Sequence, residues 1–476
     1  MIDRRTFLKT SVAAMIAAQG RLSAQQTQPT TRENVFLTDI PEYPGNILLA
    51  RPTDHSVTLN VLSHRDVSAC VEYGIKRGPL NTRTPPFELK CDEPREMVID
   101  RLQIDQIYEY RLIDTVTNQP LFAAGPGAFR TARKPGSDFT FTIQADSHLD
   151  DGCRTDVYTN TLYNQSQDHP DFMIDMGDTS MAGKHPSRES ALKQFLAQRY
   201  YFGLVGYQVP SFLLIGNHDG EEAKLRGATQ PDGLAVWSNQ LRKRYFTNPL
   251  PDRFYTGNDQ PHQNAGLLQN YYAWSWGDAQ FIVLDPYWTS SSSHGNSGGW
   301  NMSLGKRQYD WLTQTLRASK SKFKLVFIHQ LVGGLDDAGR GGVEAAGFFE
   351  WGGCELDGRN TFKSNRPGWE MPVHDLLKRS NVTAVFHGHD HFFASQTKDQ
   401  IHYILAPQAA HRNYRNDHAQ EYGYKQGNFV PNSGHLRVDI RSDILRVQYI
   451  RSVPQAMQRG QLRNGSIAAA IEVHAG

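Results

Sequence analysis

Five short apolar runs in this chain each stop abruptly at side chains of the kind that bind metal ions, and this repetition restricts the fold more than any other feature. In Phe212-Leu-Leu-Ile-Gly-Asn-His-Asp219 a stretch that reads as a buried strand ends at a glycine and then presents an amide, an imidazole and a carboxylate. Alone it reads more readily as a strand and a turn, with Asn217 and Asp219 bonding their own backbone. Four other runs follow the same plan. Residues 139–143 lead to Asp146-Ser-His148, residues 172–174 to Asp175-Met-Gly-Asp178, residues 324–328 to His329, and residues 382–386 to His387-Gly-His-Asp-His391.

Between these runs, residues 154–167, 188–202 and the stretch carrying Leu304, Gln308, Trp311, Leu312 and Leu316 read as helices, and residues 271–284 as a hairpin. Strands alternating with helices predict an α/β fold, whose ligands gather at the C-terminal strand ends. A chain of 476 residues exceeds one ordinary domain. Residues 36–134 lack clustered His or Asp and read as all-β, with Tyr108, Tyr110 and Leu112 on one face of a half-buried strand. Leu102 precedes Tyr108 by six positions, which resembles the tyrosine corner of a fibronectin type III sandwich. Such a unit is expected to dock or to edge the substrate site.

The amino terminus reads as an address. Paired Arg4 and Arg5 ahead of Phe7, Leu8 and Lys9 resemble a twin-arginine export signal, followed by a short apolar run over 11–18 and a cleavage site near Ala24. That run is too short for a membrane span. Residues 1–24 are therefore expected to be a leader and 25–35 a linker, with the mature protein periplasmic or secreted. Lys and Arg number 50 against 49 Asp and Glu, so nucleic acid is not an expected partner. Cys70, Cys91, Cys153 and Cys354 fit no zinc ribbon, and their pairing is open.

Collected from the strand ends, Asp146, His148, Asp178, Asn217, His329, His389 and His391 offer two carboxylates, one amide oxygen and four imidazoles. This set is too large for one closed tetrahedral zinc and holds no thiolate. Mixed nitrogen and oxygen donors suit Zn, Fe, Mn or Co, and the set divides over two divalent or trivalent ions if one carboxylate bridges. Two such ions keep a net positive charge beside the aspartates, which draws hydroxide and phosphate.

Asp-x-His, Gly-Asp, Gly-Asn-His-Asp, a strand-final His and Gly-His-x-His, in this order, resemble the motif set of calcineurin-like metallophosphoesterases over residues 138–452. The resemblance implies two packed mixed β-sheets flanked by helices, preceded here by the small all-β sandwich, with 453–476 as a tail. It implies that Asp146, His148 and His391 hold one metal, that Asn217, His329 and His389 hold a second, and that Asp178 bridges. It makes His218 a phosphate contact and proton donor to the leaving oxygen, a task suited to an imidazolium. The added sandwich resembles purple acid phosphatases. However, His148 stands where those enzymes have glycine and Met181 where they have tyrosine, so their coloured iron state is not expected. Met181 also replaces the aspartate of protein serine/threonine phosphatases.

Asp219 either orients His218 in catalysis or caps the next turn. Arg340, in the glycine-rich stretch 333–353 with Glu344, is a candidate for binding an anionic substrate, although a mobile loop is the plainer reading. His387 is expected to be a hydrogen-bonded strand residue, Asp150 and Asp151 surface acids, and Trp274, Trp276 and Trp288 packing residues. The expected activity is hydrolysis of a small phosphate ester, a monoester favoured, by hydroxide generated at the metal pair. A diesterase, cyclic-nucleotide phosphodiesterase or nuclease with the same metals is the alternative, and a non-catalytic binding protein the third. Oligomeric state is not legible.

Overall fold

The computed structural model describes residues 35–122, 125–291, 299–415 and 417–475. The expected leader, 1–24, and nearly all of the expected linker lie outside the described residues.

The N-terminal part is all-β. Gly45–Ala50, Val57–Ser63 and Arg95–Ile99 form one antiparallel sheet; Val67–Ile75 and Ile107–Asp114 centre the other. Alternate residues of both sheets, among them Leu49, Leu59, Val71, Tyr110 and Leu112, form their common core. The Tyr108 hydroxyl accepts the Gln103 N–H at 2.9 Å.

Two mixed sheets follow. Ser211–Leu213, Met173–Asp175 and Phe139–Gln144 run parallel, and Gly434–Arg441, Ile444–Arg451 and Ile467–His474 extend them antiparallel. The stretch 453–476, expected to be a tail, thus supplies an edge strand, because Ala469 and Val473 reach the core. In the second sheet, Ala279–Val283, Phe323–Phe327, Ala384–His387 and Ile401–Leu405 run parallel, with Tyr272–Trp276 closing the expected hairpin. Fully buried Phe141, Ile143, Phe281, Leu325, Phe327 and Phe386 fill the space between the sheets. Trp274 and Trp276 join them, as packing residues. The outer face of the second sheet is covered by helices Lys306–Ala318 and Val373–Arg379, through Leu312, Leu316, Leu376 and Leu377. The first is covered by Thr155–Gln167 and Arg188–Gly206, which gives a four-layer core. All four cysteines are free.

Candidate active site

Parallel pairing puts the C-terminal ends of Phe139–Gln144, Met173–Asp175, Phe323–Phe327 and Ala384–His387 at the same edge of the two sheets. The chain then turns sharply. Asp146, His148, Asp178, His389 and His391 all have φ between 47° and 77°, a left-handed backbone that non-glycine residues adopt rarely. These turns aim side chains inward that extended strands would splay. Two glycines make room for them. A Cβ at Gly216 would lie 2.1 Å from Asp178 Oδ1, and one at Gly388 would lie 2.9 Å from Asp146 Oδ2.

The result is two groups of ligand-type atoms, Asp146 with His148 and His391, and Asp178 with His329 and His389, each within 4.8 Å of one another. Asn217 Oδ1 stands 3.1 Å from His329 Nε2 and 2.9 Å from His389 Nδ1, beside the second group. Asp178 Oδ2 lies between the groups, 3.6 Å from His148 Nε2 and 3.4 Å from His329 Nε2.

The hydrogen bonding fits a metal pair. His148 Nδ1 donates to Asp150 at 3.1 Å, His329 Nδ1 to the Met176 carbonyl at 2.8 Å, and His389 Nε2 to the Ala338 carbonyl at 2.8 Å. Each ring is thereby held with its other nitrogen toward the centre, the way histidine ligands are oriented. The inward Nε2 of His148 is buried with no hydrogen-bond partner, an orphan that an ion would satisfy. Charge is as concentrated as donors. Burial disfavours an imidazolium at His329, but Asp178 and Asp146 overcome it and raise the group to about 9. Burial likewise opposes ionisation of Asp178, yet the surrounding histidines hold its carboxyl well below the usual range. In metal-bound form cations take the place of those protons.

Other residues fall into distinct places. His218 lies beside this centre, with its ring 6.0 Å from that of His148 and its backbone N–H donating to Asp178 Oδ1 at 2.8 Å. Asp219 is a clamp: its carboxylate accepts the backbone N–H groups of Gly216, Asp178, Thr179 and Ser180, which lie before it in the chain rather than in the turn after it. Asp150, expected to be a surface acid, is instead the hydrogen-bond partner of His148, while Asp151 is exposed. His387 is fully enclosed, its Nε2 unpaired, and burial pulls its pKa down to about 4. The 333–353 stretch, read as a mobile loop, is tied down: Gly341 N–H and the Tyr424 hydroxyl both reach Asp390, and Glu344 accepts the Lys425 N–H. Arg340 stacks its guanidinium 4.1 Å over the Tyr422 ring. Trp288 packs on the 223–268 cluster and meets His262 edge-on at 5.2 Å.

Sequence reasoning missed Gln194 and Gln198, one turn apart on helix Arg188–Gly206. Gln194 Nε2 donates to the His148 carbonyl, and Gln198 Nε2 donates to Ser147 Oγ at 2.9 Å and to the Thr179 carbonyl at 2.7 Å. Buried amides inside a helix pattern were the available signal. The His218 carbonyl accepts the Gly183 N–H at 2.8 Å, and nearby Arg226 is paired with Glu222 at 2.7 Å.

The calcineurin-like phosphoesterase family model matches residues 139–393, more than half of the chain, and the chain belongs to that family. It is a metal-dependent hydrolase of phosphate esters. Among solved structures it is similar to PhoD, with 15% identity, a TM-score of 0.61, and 94% of this chain and 92% of that one covered. It is similar too to purple acid phosphatase PPD1 from yellow lupin (Lupinus luteus) seeds, with 14% identity, a TM-score of 0.59, and 90% and 74% covered. These likenesses concern the fold, including the all-β part. No curated protein matches the chain. Among the described residues no helix is long and apolar enough to cross a membrane.

Proposed function

We propose that this chain is an exported dinuclear metallophosphatase that hydrolyses small phosphate monoesters. The observation carrying the reading is the pair of donor groups with Asp178 between them and His218 at their side. Asp146, His148 and His391 would hold one ion, Asn217, His329 and His389 the other, and Asp178 both. When bound, the ions supply Lewis acidity toward the phosphoryl oxygens and lower the pKa of water so that attack on phosphorus proceeds near neutral pH.

The chain's own residues do the rest. Asn217 and His218 face the phosphoryl group, and His218 gives its proton to the departing ester oxygen. Arg340, its guanidinium 4.1 Å over the Tyr422 ring, is the candidate contact for an anionic substrate. Residues 1–24 support export. The Tyr108 hydroxyl bond to the Gln103 N–H supports a fibronectin type III kind of sandwich over 36–134.

Turnover of p-nitrophenyl phosphate and of its bis ester, each with Mn²⁺, Zn²⁺ or chelator, tests this. Faster metal-dependent turnover of the monoester is expected. Diester-only turnover transfers the assignment to a phosphodiesterase, and no turnover with any metal to a binding protein.

A further inference from the structure

The loop that carries His148 is gripped at three consecutive residues, and part of that grip comes from the far end of the chain. Leu37 N–H donates to the Leu149 carbonyl at 2.6 Å, and Phe36 pairs with Asp150 as an isolated antiparallel bridge. The Phe36 ring stacks on His185, with centroids 4.1 Å apart and planes inclined by 23°. His185 Nε2 in turn donates to Gln194 Oε1 at 2.6 Å, and the Gln194 amide donates to the His148 carbonyl. Leu37, Ile40 and Tyr43 pack against the buried cluster containing Leu149 and Cys153.

This loop needs holding. His148 and Leu149 sit at φ of 47° and 55°, and non-glycine residues keep such a backbone only where their surroundings over-determine it. The direct contacts of the strap fall on Leu149, Asp150 and His185, and reach the His148 carbonyl through Gln194, whereas Asn217, His329 and His389 stand on other strand ends.

We propose that Phe36 and Leu37, on a strap laid across the His148 loop, are positioning residues for the first metal, so that its affinity is set from the N-terminal edge of the folded chain. This rests on the assignment of Asp146, His148 and His391 to that ion. The strap fixes the loop backbone, the loop fixes the Asp150–His148 bond, and that bond aims Nε2 at the ion.

Zn²⁺ titration of the metal-depleted full chain against a chromophoric chelator tests the inference, with melting temperature followed in parallel. His148→Ala marks the step belonging to the first ion and His329→Ala the step belonging to the second. Phe36→Ala, and Leu37→Pro, which deletes the N–H bonded to Leu149, are expected to weaken the His148 step by about 10–100-fold and to leave the other step unchanged. Phe36→Tyr keeps the stack and is expected to restore the affinity. Equal weakening of both steps with a lowered melting temperature, or no change in either, overturns the inference while the parent protein still binds two ions. A parent that binds fewer than two ions overturns the metal assignment itself.

Discussion

The Asp219 carboxylate accepts the backbone N–H of Asp178 at 2.9 Å, so the residue after His218 holds the turn from which the central aspartate projects. The same carboxylate accepts Gly216 N–H at 2.8 Å and Ser180 N–H at 2.9 Å, joining two of the five strand ends. Asp219→Ala leaves these donors buried and unpaired, a cost of about 1–3 kcal/mol for each such group. Metal affinity is expected to fall by about 10–100-fold, read by metal content after dialysis. Asp219→Asn, which keeps one acceptor oxygen, should fall between.

His218 and Asp178 separate proton donation from metal holding. His218→Ala is expected to retain both ions and to lose about 10²–10⁴ in rate, most steeply for esters with poor leaving groups. Asp178→Ala is expected to lose both ions. Metal analysis beside a leaving-group series checks the pair, and loss of metal from His218→Ala would contradict the donor assignment.

Chelation should act on stability as well as on rate. Ions that bind only the folded state stabilise it by about 2.7 kcal/mol at a free concentration of 100 times Kd. Chelator is therefore expected to abolish hydrolysis and to lower the melting temperature, with both restored by added Mn²⁺ or Zn²⁺. Calorimetry with and without chelator reads the shift.

Arg199 ties the all-β part to the catalytic part. Its fully buried guanidinium donates to Asn46 Oδ1 at 3.0 Å, to Asn60 Oδ1 at 2.8 Å and to the Asn60 carbonyl at 2.9 Å, and burial lowers its pKa to about 10. Arg199→Ala strands those acceptors and is expected to cost about 1–3 kcal/mol for each group left unpaired, measured by denaturant unfolding.

Acid stability is expected to depend on Asp168. It accepts from His435 at 2.7 Å and Arg437 at 2.9 Å, joining the end of helix Thr155–Gln167 to strand Gly434–Arg441. Burial opposes its charge, but the His435 hydrogen bond outweighs it and lowers the carboxyl pKa. A lowered folded-state value contributes stability that is present above the unfolded aspartate value, about 3.9, and is lost as pH falls through the lower folded value. Asp168→Asn should cost about 1.5–3 kcal/mol near neutrality and flatten the acid limb of a stability–pH curve.

The strands that end in donor residues, the helices over 155–167, 188–206 and 306–318, and the order of the donors are legible in the chain, because apolar periodicity and abrupt strand endings are local properties, whereas helix Leu234–Tyr245 escaped that reading. Phe141, Ile143, Leu325 and Phe327 announce buried strands on their own, and Gly216 and Gly388 mark the turns where side-chain bulk is excluded. The direction in which those turns aim their donors comes from the folded state, since the left-handed backbone at Asp146, His148 and Asp178 is held by Gly177, Asp178 and Asp219, each distant in sequence from the residue it holds. Asp150, Gln194 and Phe36 act through such partners. Nothing local distinguishes them from a surface acid, a helix amide and an aromatic at the start of the all-β unit, and the late strand Ile467–His474 shows its place only once a sheet edge exists to receive it.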